Sequence, residues 1–341
     1  MSRALLLLAP LALIACSGGK GDDTSGNADG GGDDGGGGCD VTIAPLAPTA
    51  DQTDFYYRSA IEVGLSAADA SATITVAGVE GTSSFSADGL TAVFTPAAPL
   101  APSTDYVATV SFCDGANNAD IAFRTSALGT ATDGCDLTGK TFEVDLAAAR
   151  FVEPAGVAEL LLGQLEDQIY VGVQANNGSS LDMIGALGQG GMQDTCNPSI
   201  PFPPATYADP YFSVGPQDTT LSVAGFDIEI SNLQISGDFA SDCSEFGGGV
   251  LAGELDARVL APLVGDLLGS TDPDQVCALL TGFGVACEPC DSDGQNYCVG
   301  VLVDQITAGT INTVLECVDE ASCHPSCAES TCQDPAAGEC E

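Results

Sequence analysis

The chain has 341 residues and carries 48 acidic against 7 basic side chains, a formal net charge of −41, with a single histidine. A surface of that sign repels phosphate backbones, which excludes nucleic acid as a partner, and it disfavours anionic lipid surfaces, which makes a covalent lipid the sensible membrane anchor. The same charge strains the folded state by self-repulsion. We therefore expect the melting temperature to climb as sodium chloride screens it, and a salt-independent Tm would refute this. Divalent cations could use the acids, but a solvated acidic face is the simpler reading.

Met1-Ser2-Arg3 leads into an apolar run from Ala4 to Ile14. That run is well short of the ~20 residues of a spanning helix, and residues 1–15 read as a secretory signal. The exit Leu13-Ile14-Ala15-Cys16 resembles a bacterial lipobox. The resemblance implies that Cys16 opens the mature chain and carries its acyl chains, palmitate among them. The alternative is an ordinary signal in which Cys16 is incidental. By resemblance to Gram-negative sorting rules, Ser17 in place of an aspartate implies the outer membrane. Residues 16–38 then form anchor and tether. Their Gly, Asp and Ser composition cannot bury a core, and such a coil spans roughly 25 Å. Its aspartates lack the ordered spacing of an EF-hand loop.

Between residues 39 and 127 the pattern turns strand-like. Ala60–Leu65, Ala72–Val76, Leu90–Thr95, Asp105–Phe112 and Asp120–Thr125 alternate with period two and are bounded by turn residues. Several short strands of this kind argue for a β-sandwich. Ser86 to Pro96, Leu100 to Tyr106, Ala116-Asn117-Asn118 and Phe123-Arg124-Thr125 together resemble the bacterial Ig-like domain of the SbsA type found in S-layer and other surface proteins. That resemblance implies spacing, adhesion or display, and no catalytic residues. Tyr106 sits where a tyrosine-corner residue would, with its phenol bonded to backbone near the preceding turn. Cys39 and Cys113 depart from the family pattern. One pairing open to them is with each other, closing a long loop worth about 4 kcal/mol.

Residues 128–134 read as a linker, and residues 135–310 as a second domain. Strand patterns cover Lys140–Leu146, Gln168–Val173, Leu221–Val223, Phe226–Ser236 and Val299–Val303. Helical spacing appears at Val157, Leu160, Leu161 and Leu165 after Pro154, and again at Leu260, Leu263, Val264, Leu267 and Leu268. Asp272-Pro273 caps a third helix that turns Val276, Leu279 and Leu280 inward. Phe202-Pro203-Pro204 and Gly247-Gly248-Gly249 mark loops. The fold class is therefore mainly β: an Ig-like sandwich followed by a β-rich α+β domain or half-open barrel, rich in disulfides. A barrel of about eight strands can enclose one small ligand or be filled by side chains.

Cysteine usage fits export. With Cys16 lipidated, 14 of the 15 cysteines remain, an even number. These are disulfide candidates: Cys39, Cys113, Cys135, Cys196, Cys243, Cys277, Cys287, Cys290, Cys298, Cys317, Cys323, Cys327, Cys332 and Cys340. Residues 311–341 form a Cys-rich cap. Cys287-Glu288-Pro289-Cys290 has redox or zinc spacing, but the oxidising context favours structural bridges. Cys323, His324, Cys327 and Cys332 could nominally hold zinc, yet adjacent Cys and His rarely face one ion.

No enzyme signature emerges. His324 is the sole histidine, and neither a G-x-S-x-G elbow nor a P-loop is present. Gly188-Gln189-Gly190-Gly191 lacks the dinucleotide fingerprint. Carboxylate pairs such as Asp272/Asp274 and Asp291/Asp293 are expected by chance in so acidic a chain. Asp291-Ser292-Asp293-Gly294 opens like a calcium loop but lacks the following ligands, so a turn is the stronger reading. Asn177-Gly178-Ser179 matches a glycosylation acceptor that a bacterial lipoprotein rarely uses. We expect a non-enzymatic, exported lipoprotein with no cofactor and no resident metal, meeting a protein or glycan partner at the cell surface. The alternatives are a carboxylate-based hydrolase in the second domain and a calcium-stabilised binding module.

Overall fold

The computed structural model describes residues 39–154, 167–223, 226–259, 272–282 and 285–318. Residues 1–38, with the expected signal, Cys16 and tether, the two expected helical patterns at 157–165 and 260–268, and Cys323, His324, Cys327, Cys332 and Cys340 lie outside them. The protein is mainly β, as its alternation implies, and the described residues from Val41 onward form one compact unit.

The first module is a sandwich of two four-stranded sheets. Its strands are β1 (Ile43–Ala47), β2 (Gln52–Phe55), β3 (Ile61–Leu65), β4 (Thr73–Val76), β5 (Gly81–Phe85), β6 (Thr91–Pro96), β7 (Asp105–Phe112) and β8 (Asn117–Thr125). They are ordered β1-β3-β6-β5 and β2-β8-β7-β4. Every second residue of β3, β4 and β6 points into one core, where Ile61, Val63, Ile74, Phe94, Val110 and Phe123 are fully covered. Five of these strands carry period-two alternation in the sequence. The other three lie at sheet edges, and β5 (Gly-Thr-Ser-Ser-Phe) is exposed along its whole length and contributes nothing to the core. The phenol of Tyr106 accepts a 2.9 Å hydrogen bond from the Ala101 amide, closing the expected corner.

The second module adds β9 (Thr141–Asp145), β10 (Arg150–Glu153), β11 (Gln168–Asn176), β12 (Ser180–Gln189), β13 (Met192–Gln193), β14 (Ile200–Pro201), β15 (Ala205–Ala208), β16 (Tyr211–Val223), β17 (Phe226–Phe239), β18 (Glu245–Asp256), β19 (Glu288–Pro289) and β20 (Asn296–Ile311). A helix, α1 (Pro273–Gly282), lies between β18 and β19. Strands β9, β11, β12, β15, β16, β17, β18 and β20 pair in chain order, all antiparallel, and β20 returns to β9. The half-open barrel of the sequence reading is thus a closed up-and-down barrel. A closed ring leaves no sheet edge unpaired along its length.

Aromatic rings fill one end of this barrel. Phe142, Phe212, Phe239 and Phe246 meet at centroid separations of 5.0–6.2 Å, with Tyr207 beside them. Leu181, Met183 and Val303 belong to the same cluster. Of the two outcomes left open for the interior, side-chain filling holds here.

After β20 the chain folds back over the outside of β11 and β12. Leu315 packs on Tyr170, Ile184 and Ala186, and Gly172 admits it, since a Cβ there would sit 3.0 Å from Leu315. Gln193 and Ser199 hydrogen-bond the backbone of Glu316 and Val318. This strap buries β12 on both faces, which is why Ser180–Gln189 shows no clean alternation.

Candidate functional site

The sandwich and barrel meet through a cluster built on the turn after β2. Tyr56-Tyr57-Arg58 reaches Asp238, near the end of β17. Successive side chains on a strand face opposite ways. So Phe239 points into the barrel core, and Asp238 points out at the sandwich. Asp238 is wholly buried. Its Oδ1 accepts a 2.7 Å hydrogen bond from the Tyr57 hydroxyl, and its Oδ2 accepts one from Tyr56. Arg58 Nε donates to the Tyr57 hydroxyl at 2.8 Å and lies 3.8 Å from Asp238. The Arg58 guanidinium stacks 3.9 Å from the Tyr211 ring centroid. Burial drives the Asp238 carboxyl above its ordinary value, outweighing the phenol bonds and Arg58 that favour the anion. Burial, aided by Asp238, pushes the Tyr57 phenol up to about 12 and raises Tyr56 further still.

Gly247-Gly248-Gly249 supplies the seat for this cluster and corrects the loop reading given to it above. These glycines lie within β18, where the register with β20 shifts between Phe246 and Gly249. Gly248 has φ +58, and a Cβ on it would come 2.1 Å from the Tyr56 ring. A Cβ on Gly247 would meet Leu128 at 2.7 Å. A glycine run in a strand marks a bulge or a close approach as well as a loop. Residues 128–134 belong to the same contact: the Thr132 amide and hydroxyl both donate to Asp209, and Asp133 N–H donates to Ser241 at 2.8 Å.

A second tie joins the modules. Arg150 of β10 forks between Glu62 of β3 (2.8 and 3.2 Å) and Asp304 of β20 (2.9 and 2.6 Å). The two carboxylates raise its pKa above the ordinary arginine value. Between the two ties lies a cleft of about 370 Å³, lined by Tyr56, Arg58, Ser59, Glu62, Arg150, Tyr211, Ser236, Gly248, Asp304 and Gln305 among others. A larger, shallower groove of about 680 Å³ lies on the sandwich beside Tyr106 and Val107. There Arg124 and Asp105 are already joined at 2.8 Å.

The residues singled out in the sequence do not converge on this cleft. Asp272 caps α1 through the Asp274 amide, and Asp274 accepts from the Tyr297 hydroxyl at 2.8 Å. Asp293 pairs with Arg258 at 2.6 Å, and Asp291 accepts from Asn232, so the Asp291–Gly294 stretch is a turn. Gly190 and Gly191, at φ +60 and +78, turn the chain from β12 into β13, and Gly178 turns β11 into β12.

Disulfides join Cys135 to Cys243, Cys277 to Cys287, and Cys290 to Cys298. Cys39, Cys113, Cys196 and Cys317 are also disulfide-bonded. The two cysteines of the C-x-x-C therefore take different partners, and neither forms a redox pair with the other. Glu254, Cys290 and Cys298 bring potential ligand atoms within 4.8 Å, but the two sulfurs are bonded to each other and offer no thiolate.

Sequence reasoning missed Tyr56, Tyr57, Arg58, Arg150 and Asp238. One signal was present: basic residues number only 7, so each arginine has a particular carboxylate to meet. The partner carboxylates carry no such signal among 48 acids. No protein-family model matches the chain, and no curated protein matches it.

Proposed function

We propose that this protein is a non-enzymatic, lipid-anchored outer-membrane protein whose sandwich–barrel unit is displayed for binding a protein or glycan at the cell surface. The observation that carries this reading is Leu13-Ile14-Ala15-Cys16, followed by the Gly/Asp spacer. Three further features support it. The carboxylates considered for hydrolysis are engaged in a cap, a turn and an ion pair. Aromatic rings pack against one another inside the barrel, where a ligand cavity would need space. The two modules are locked by the Asp238 cluster and the Arg150 fork, so a tether would present them together.

Intact mass with thiol alkylation on membrane-extracted protein tests the proposal. An acylated Cys16 and no alkylatable thiol is the expected result. A mass lacking acyl groups would remove the anchor and make this a secreted protein. Free thiols among Cys323, Cys327, Cys332 and Cys340 would reopen a metal site at the C-terminal end.

A further inference from the structure

The cleft between the modules deepens the proposed binding role, and rests on it, by indicating what would bind. Two cations, Arg58 and Arg150, and two acids, Glu62 and Asp304, line it, and the buried Asp238 lies 3.8 Å from Arg58, so each arginine already has a counter-charge in a chain of net charge −41. Four of the five Arg150 N–H groups already serve its two carboxylates. Arg58 is held by Tyr211 and by its Nε bond to Tyr57, and among the described residues neither Nη has a hydrogen-bond partner. The Ser59 and Ser236 hydroxyls and the Gln305 amide likewise have none among the described residues. Gln305 sits at φ +56, a left-handed conformation that glutamine adopts only at a cost.

We propose that this cleft binds a neutral, hydroxyl-rich ligand, namely one or two uncharged sugar units of a surface glycan. Both arginines and the Glu62 and Asp304 carboxylates are already paired, so neither an anion nor a cation meets an uncompensated group, and the field of the whole chain opposes anions. An apolar ligand would cover Arg58, Ser59, Ser236 and Gln305 without pairing them, which costs free energy for each buried group. A sugar hydroxyl both donates and accepts. It therefore suits the free Arg58 and Gln305 donors together with the remaining lone pairs of Glu62 and Asp304. The volume of about 370 Å³ is at the small end for ligand sites and limits the occupant to a mono- or disaccharide. Both modules contribute to the lining, and the Asp238 cluster holds them in register, so the site is formed before a ligand arrives.

Saturation-transfer NMR on the full, disulfide-intact chain tests this. The probes are methyl glucoside, methyl galactoside, methyl mannoside and methyl N-acetylglucosaminide, with glucuronate as the anionic control. We expect transfer to at least one neutral glycoside and none to glucuronate. Gln305→Gly should weaken that binding at least tenfold while leaving Tm unchanged or higher, because glycine is at ease at this φ. Ser59→Ala, on the other module, should weaken it as well. The proposal falls if none of the four glycosides shows transfer, if glucuronate binds more tightly, or if both variants bind as the wild type does. The mass of Cys16 is read independently. Acylation without sugar binding removes the site and leaves the anchor, and sugar binding without acylation does the reverse.

Discussion

Replacing Phe239 by alanine is expected to cost about 3–5 kcal/mol, the range for emptying a large aromatic site in a core. Phe239 is fully buried, with ring centroids of Phe212, Phe142, Phe246 and Tyr207 at 5.0, 5.3, 6.2 and 6.3 Å. Its neighbours are rooted in β9, β15, β16 and β18, strands held by ladders on both sides. They cannot collapse into the space left behind, so the cavity persists and its cost adds to the lost burial. Urea unfolding should show a lower midpoint at an unchanged slope. A loss under about 1 kcal/mol would mean that this end of the barrel relaxes freely.

The neighbouring residue gives the second large effect. Asp238→Asn keeps the shape but turns one acceptor oxygen into an NH₂ donor facing a phenol O–H, and it strips Arg58 of its buried counter-charge. Removing one partner of a buried polar cluster costs roughly 3 kcal/mol. Tyr57→Phe in the same background should then add less than it does alone, since both act on one hydrogen bond. Full additivity would sink the idea of a coupled cluster.

The pH dependence has a definite sign. Burial raises the Asp238 carboxyl above 3.8. A raised acid stabilises the native state fully below that value and loses the contribution as pH rises through the native pKa. The stability gap between wild type and Asp238→Asn should therefore widen as pH falls from about 7 toward about 4. Asp69, Asp88 and Asp242 have the opposite sign, because neighbouring serine hydroxyls hold them below the usual range. Their contribution is lost on acidification in both proteins, so it cancels in the difference. A gap that narrows toward acid pH would show that the phenols and Arg58, not burial, dominate at Asp238.

The two modules were unequally legible in the sequence. The sandwich was readable because its sheets bury one face and expose the other, and β3, β4, β6 and β7 carry that asymmetry residue by residue. The tyrosine corner was readable for a related reason. It joins Tyr106 to Ala101, five residues away, so its chemistry is local. The barrel was harder to read. The strap masks the alternation of β12, and the Gly247–Gly249 bulge looks like a loop until Tyr56 is seen resting on it.

By itself, the sequence determined the composition-driven properties: mainly β structure, bridged cysteines, an acidic surface, and the apolar run before Cys16 and the Gly/Asp stretch after it, on which the proposal of an exported, tethered protein rests. These depend on residue type and short-range pattern, which need no partner. Only the tertiary structure decided that the second sheet closes into a ring and that one end of its interior is filled. It also decided that Asp238, 182 residues from Tyr56, locks the two modules together. The reason is one of number and distance. With 48 acids in the chain, nothing local distinguishes the carboxylate that will be buried. Its role exists only once Tyr56, Tyr57 and Arg58 have been carried to it by folding.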